Sequence, residues 1–97
     1  MYKPITAHEE EFEVCGLSFH CIYGLYINGA WCAIVNWDVC AQLSGHNDAS
    51  YNSNKIYQAL CNSPDAAWLP HDNKAREAIA YAIGKTVTER IEGMKES

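Results

Sequence analysis

The chain has 97 residues, of which 48% are hydrophobic and 20% charged, so it is not a disordered chain and we predict a single domain over residues 1–97. Its net charge is −5 and its basic residues are scattered, which argues against nucleic-acid binding. The longest apolar run, from Ala30 to Val35, is far shorter than the about 20 residues that span a bilayer. We therefore expect no membrane segment and no secretory signal, and a cytoplasmic protein.

The first eleven residues are polar and end in three consecutive glutamates, Glu9, Glu10 and Glu11. This pattern predicts a flexible, solvated acidic arm over residues 1–11. Such a run usually forms a solvated surface, but it can also dock on a basic groove of a partner or mimic nucleic-acid phosphate. The three glutamates are therefore candidate partner-binding residues. The alternating residues 12–15 that follow predict a short strand ending at Gly16.

Two apolar runs rich in aromatic and β-branched residues flank the dipeptide Asn28-Gly29 between residues 18 and 43. Asn-Gly favours the positive φ angles of a type I′ turn, so the pattern predicts a β-hairpin with this turn. One face of the hairpin would carry Ile22, Tyr26, Trp31, Val35 and Trp37. The other would carry Phe19, Cys21, Tyr23, Leu25, Cys32 and Ile34, and would end in Asn36 and Asp38. Because both faces are largely apolar, one must be covered by helices and the other by further structure or a partner.

A polar loop over residues 45–50 precedes a predicted short helix, capped by Asn52 or Ser53, with Ile56 and Leu60 on one side. A longer helix follows, capped by Asp72 or Asn73. Its apolar stripe consists of Ala75, Ile79, Ile83, Val87 and Ile91. Gly84 indicates a close contact or a bend, and Gly93 a C-terminal cap. The predicted fold is α+β: a three-stranded antiparallel sheet with a central hairpin and two helices mainly on one face.

The five cysteines are odd in number, so we expect free thiols in a reducing compartment. Their spacing relative to the four histidines does not form a zinc pattern, and we expect neither a metal nor a cofactor. Cys40 with His46, or Cys15 with His20, could form a nucleophile pair. No motif supplies an oxyanion hole, so we do not expect an enzyme, although a small thiol enzyme is one alternative.

The aromatic residues exceed what two helices can cover, which indicates a contact surface. Tyr26, Trp31 and Trp37 are the candidate partner-binding aromatics, and the same surface could form a homodimer. A second candidate set is His20, Asn36 and Asp38, which would be either ligand contacts or a structural polar cluster. A small-metabolite-binding module with a pocket at these three residues is the other alternative.

The stretch from residue 18 to residue 60 resembles a family of short, uncharacterised proteins of bacteria, phages and mobile elements. The matching residues are Ser18, Phe19, His20, Gly24, Gly29, Asn36, Trp37, Asp38, Asp48, Tyr51 and Asn52, with a late alanine-rich helix at Ala80, Ala82 and Ile83. The resemblance implies a fold and a genomic setting but no established activity. Small acidic proteins from such settings are often inhibitors of host defence, including anti-CRISPR proteins. By this analogy we expect a non-catalytic binding protein that inhibits a bacterial defence complex through protein–protein contact.

Overall fold

A computed structural model describes residues 6–26, 29–63 and 73–95. These residues form strands β1 (Thr6–Val14), β2 (Leu17–Tyr26), β3 (Gly29–Ile34) and β4 (Val39–Leu43), and helices α1 (Ala49–Cys61) and α2 (Asn73–Lys95). The strands make one antiparallel sheet in the order β1-β2-β3-β4. Within the described ranges, no helix has the length and hydropathy needed to cross a bilayer.

The α+β class and the antiparallel sheet are confirmed, but the sheet has four strands rather than three. The additional strand arises because a single 3₁₀ turn, Val35–Trp37, divides the second apolar run of the predicted hairpin. Asp38 ends this turn in the left-handed conformation, with φ 52°, and its N–H donates to Val35 O at 3.3 Å. Asp tolerates this conformation better than most residues, and the reversal starts β4 at Val39.

The predicted acidic arm is wrong for residues 6–11, which belong to β1. β1 pairs with β2 in one continuous register, from Thr6 opposite Leu25 to Val14 opposite Leu17. The two residues between them, Cys15 and Gly16, both have positive φ, 53° and 77°, as a type I′ turn requires. The strand predicted at residues 12–15 is thus the last part of β1. The residues before it were not predicted as strand because only Phe12 and Val14 show the apolar alternation of a half-buried strand.

The turn prediction at Asn28-Gly29 is also wrong. Tyr26 pairs with Gly29, so Gly29 is the first residue of β3, while Asn28 lies outside the described residues. The predicted register had Tyr26 opposite Trp31 and is displaced by two residues. Glycine suits position 29 because neighbouring atoms lie close to its backbone. A Cβ there would lie 3.2 Å from Leu43 O and 3.2 Å from the Tyr26 ring. A displacement of two residues leaves the side chains of β2 and β3 on their predicted faces, because the strand period is two. Trp37 is an exception: it belongs to the 3₁₀ turn and packs against the core, not on the predicted face with Trp31.

The helices pack against one face of the sheet, and this face is the one that carries Phe19. The core on this face comprises Phe19, Cys21, Tyr23, Ala30, Cys32, Ile34, Val39, Ala41 and Leu43 from the sheet, and Ile56, Leu60, Ile79, Ala80, Ile83, Val87 and Ile91 from the helices. The expected stripe of α2 is thus buried from Ile79 to Ile91. All five cysteines lie within the described ranges and none is in a disulfide. Two of them, Cys21 and Cys32, belong to the core.

The predicted cap of α1 is wrong. Asp48 caps this helix, because its carboxylate accepts the Tyr51 N–H at 3.1 Å. Asp72, the candidate cap of α2, lies outside the described residues, and Asn73 is the first residue of that helix. Gly93 is not a C-terminal cap but an interior residue of α2.

Asn52, one of the predicted caps, is instead fully buried between the helices and the loop after β4. Its Oδ1 accepts the Ser44 N–H at 2.8 Å, and its Nδ2 donates to Thr88 Oγ1 at 2.9 Å. The Thr88 hydroxyl in turn donates to Gly84 O at 2.6 Å. This chain of hydrogen bonds fixes α1 and α2 to the end of the sheet.

Candidate interaction face

The second face of the sheet is covered by neither α1 nor α2. Pairing places alternate residues of each strand on this side, and we call it the open face. Its residues are Ala7, Glu9, Glu11, Glu13, Ser18, His20, Ile22, Gly24, Tyr26, Gly29, Trp31, Ala33, Cys40 and Gln42. The face therefore contains most of the polar strand residues and two of the three aromatic candidates.

Charge and apolar area are separated across the open face. Glu9, Glu11 and Glu13 of β1 are exposed and lie along one edge. Ile22, Tyr26, Trp31 and Ala33 are partly buried and lie at the centre, and the β4 edge presents the uncharged residues Cys40 and Gln42. An acidic edge and partly buried aromatic residues of the central strands thus share one face.

His20 lies on the open face between two glutamates of the neighbouring strand. Its Nε2 lies 2.6 Å from Glu9 Oε2, and its Nδ1 lies 3.4 Å from Glu11 Oε1. The hydrogen bond to Glu9 raises the pKa of His20, and the contact with Glu11 adds to this effect, whereas desolvation opposes it. Protonated His20 therefore partly neutralises the acidic edge.

Glu10 lies on the other side of β1, facing the helices. Both of its oxygens accept from Arg90 of α2, Oε1 from Nε and Oε2 from Nη2, each at 3.1 Å. The Tyr23 hydroxyl donates to Oε1 at 2.9 Å. The hydrogen bond with Arg90 lowers the pKa of Glu10, while burial and then Glu10 raise the pKa of Tyr23 to about 12. Glu10 therefore joins α2 to the sheet and is separated from Glu9 and Glu11.

The three candidate aromatics are likewise divided between the faces. Trp37 packs against the core, with its ring centroid 6.0 Å from that of Phe19. Trp31 lies on the open face, where it pairs with Gly24 of β2. The backbone of Gly24 is buried. Tyr26 lies on the same face, because it is two residues after Gly24 in β2. The open face thus keeps Tyr26 and Trp31, which lie farther along the sheet than Ile22, the partner of Glu9.

The set of His20, Asn36 and Asp38 is not assembled as a pocket by the described contacts. His20 contacts Glu9 and Glu11, and Asp38 is exposed at the end of the 3₁₀ turn. The side chain of Asn36 lies outside what the structure describes. No group of three metal-binding side chains occurs within residues 6–26, 29–63 and 73–95.

A match to a family model shows which protein family the chain belongs to. The model of a family of unknown function, DUF6618, matches residues 3–70. The chain belongs to this family. No curated protein and no solved structure matches it. In this DUF6618 member, the matched segment contains all four strands and α1, and hence every residue of the open face.

A groove lies elsewhere, between α1 and α2. It has a volume of about 540 Å³ and is lined by Ser50, Asn54, Tyr57, Lys74, Glu77 and Tyr81, among others. None of the residues proposed from the sequence lines it. Glu13 was not among the candidate partner-binding residues, although alternation along β1 places it with Glu9 and Glu11. Sequence reasoning missed Arg90, because nothing local in the sequence connects it to Glu10, 80 positions away.

Proposed function

We propose that this DUF6618 member is a non-catalytic binding protein of phage or prophage origin that inhibits a bacterial defence complex, as anti-CRISPR proteins do. It acts by occupying a basic protein surface with the open face. The observation that supports this proposal most strongly is that Glu9, Glu11 and Glu13 share with Tyr26 and Trp31 the one sheet face that neither described helix covers.

The chemistry of this face suits a basic protein partner. Tyr and Trp are enriched among the residues that contribute most to interfaces, because they bury a large area at a small loss of side-chain entropy. Exposed carboxylates on the same face attract Lys and Arg and speed association. Defence complexes that handle nucleic acid carry basic grooves, since phosphate binding requires clustered cations. An acidic face of this kind can compete for such a groove.

The size of the open face limits how it can bind. Four strands spaced about 4.8 Å apart, with lengths of roughly 20–30 Å, give a face of about 500 Å². A stable interface buries about 800 Å² on each partner. The partner is therefore expected to extend beyond the face, onto an adjoining edge of the sheet.

The proposal is tested by combining Glu9→Gln and Glu11→Gln in one variant and making Tyr26→Ala in another. The control variants are Glu77→Gln and Tyr81→Ala, which change the same residue types at exposed positions on α2. The wild-type protein is expressed in bacteria that carry a defined defence system, and phage plating is counted. We expect wild type and both controls to restore plating, and both open-face variants to lose most of this effect.

Purified components then identify the contact. The wild-type protein should co-elute with one subunit of the inhibited complex, and increasing salt should weaken the association, because the contact involves exposed charges. Failure of the wild-type protein to protect phage against a representative panel of defence systems would contradict the proposed function. Equal activity of the open-face and control variants would contradict the assignment of the face.

A further inference from the structure

The outer edge of β1 is a second surface next to the open face. β1 is nine residues long, against a mean of about 5–6, and all nine pair with β2 without interruption. In the sheet order β1-β2-β3-β4, no strand of the described ranges pairs with the other side of β1. The backbone groups on that side are consequently available to a further strand.

The register shows which backbone groups point outwards. Val14 and Leu17 flank a two-residue turn, so they form a hydrogen-bonded pair of the antiparallel ladder. Alternation along the ladder then directs the N–H and C=O groups of Ala7, Glu9, Glu11 and Glu13 to the outer edge. The side chains of these same residues lie on the open face. A strand added at this edge would therefore pair directly with the residues that carry the exposed carboxylates.

Proline, lysine, β-bulges and other charged side chains commonly protect edge strands. The nine residues of β1 contain no proline, lysine or bulge, so charge, supplied by its glutamates, is the obstacle to strand addition that remains. The exposed acids do discriminate between partners. A second copy of β1 would place glutamates next to glutamates, which is destabilising, whereas a basic strand would be attracted. Charge thus selects a basic extended segment over self-association at this edge.

We propose that the β1 edge binds an extended segment of a partner protein as a fifth strand, with Lys or Arg at every second position and apolar residues between them. This inference specifies the binding mode of the proposed function and rests on it for the existence of a protein partner. Residues of the added strand opposite Glu9, Glu11 and Glu13 would lie about 5.5 Å away between Cα atoms, with their side chains on the open face. The intervening side chains would lie beside Phe12 and Val14, which are partly buried against the core.

A pair of synthetic ten-residue peptides tests the pattern. One alternates Lys with Val or Thr, and the control has the same composition with its lysines contiguous. Affinity is measured by calorimetry on the full chain, and amide exchange by NMR. We expect the alternating peptide to bind about tenfold more tightly, since only it can place every lysine on the glutamate side. The amides of Ala7, Glu9, Glu11 and Glu13 should become protected from exchange when it binds.

Two variants separate strand addition from attraction by charge. Glu11→Gln and Glu11→Pro both remove the carboxylate, but only Glu11→Pro removes the outward N–H, which β2 does not use. We expect Glu11→Pro to bind the alternating peptide about tenfold more weakly than Glu11→Gln, as the loss of one backbone hydrogen bond predicts. Thermal unfolding establishes that both variants fold. If Glu11→Pro does not fold, amide exchange in the wild-type protein decides whether the peptide adds as a strand at the β1 edge.

The outcomes distinguish this inference from the proposed function. Equal affinity for the two peptides, equal loss in the two variants, or unprotected β1 amides would overturn strand addition. Inhibition of a defence complex through the open face would still stand in that case. Conversely, edge protection by the alternating peptide without any inhibition in bacteria would support the binding mode and remove the proposed function.

Discussion

Replacing Gly84 by Ala should destabilise the fold, although alanine favours helices more than glycine does. The change gains about 1 kcal/mol of helix propensity. However, a Cβ at position 84 would lie 2.4 Å from Ser53 Oγ, 2.8 Å from Ser53 Cα and 3.0 Å from Ser53 N. The last two atoms belong to the backbone of α1, so the two helices must move apart. Overpacking of this kind costs about 1–3 kcal/mol and more where backbone must shift.

The net expectation for Gly84→Ala is a loss of about 1–2 kcal/mol in the free energy of unfolding, or roughly 5–15 °C in Tm for a domain of this size. Gly93→Ala is the matched control, because it lies in the same helix and has no atom within 4 Å of the added Cβ. That variant should gain up to about 1 kcal/mol. Both are measured by urea unfolding followed by circular dichroism. Equal stabilisation by the two substitutions would show that α1 and α2 do not approach closely at Gly84.

Three further predictions concern the turn, the buried amide and the histidine. Cys15→Asn should stabilise the fold by about 0.5–1 kcal/mol in urea unfolding, because Asn tolerates the left-handed conformation at φ 53°; an unchanged midpoint would argue against this turn. Asn52→Leu should lose about 1–3 kcal/mol by leaving the Ser44 N–H without its acceptor, while Asn54→Leu, at an exposed position of the same helix, should change little. NMR titration should give His20 a pKa above its ordinary value of 6.5, and Glu9→Gln should lower it. Because the pKa of His20 is raised in the folded state, its contacts stabilise the fold fully below pH 6.5. This stabilisation is lost as the pH rises through the pKa of His20 in the folded protein. A measured pKa at or below 6.5 would contradict the contact with Glu9.

The faces of the hairpin could be predicted from the sequence, but its register could not. Alternation alone assigned Phe19, Cys21 and Tyr23 to one common face, and the structure buries all three beneath the helices. The Asn-Gly signal then misplaced the turn, because Asn28-Gly29 satisfies the local preference for positive φ as well as Cys15-Gly16 does, or better. Long-range packing decided the register: Gly29 fits where Leu43 and Gly45 approach the backbone closely. Local turn chemistry contains no information about such an approach.

Only the last part of β1 was predicted, at residues 12–15, and the rest was missed for a different reason. One face of β1 is exposed to solvent. Apolar and polar residues therefore alternate in its sequence only where the other face contacts the core. Only Phe12 and Val14 do so clearly, because the position before them on that face is Glu10, whose charge is compensated by Arg90 on a distant helix. A buried apolar residue in place of Glu10 would have extended the alternating pattern and revealed the strand.

The same pairing determines how the three consecutive glutamates divide. Strand alternation sends Glu10 to the helices and leaves Glu9 and Glu11 on the open face, where Glu13 continues the series at every second residue. Successive members of the series lie about 6.8 Å apart, twice the rise per residue of an antiparallel strand. A flexible arm would have presented a compact, adjustable cluster of charge to any basic surface. A strand instead presents a rigid row at a fixed spacing, and the partner that matches such a row best is another strand whose basic residues repeat at the same interval.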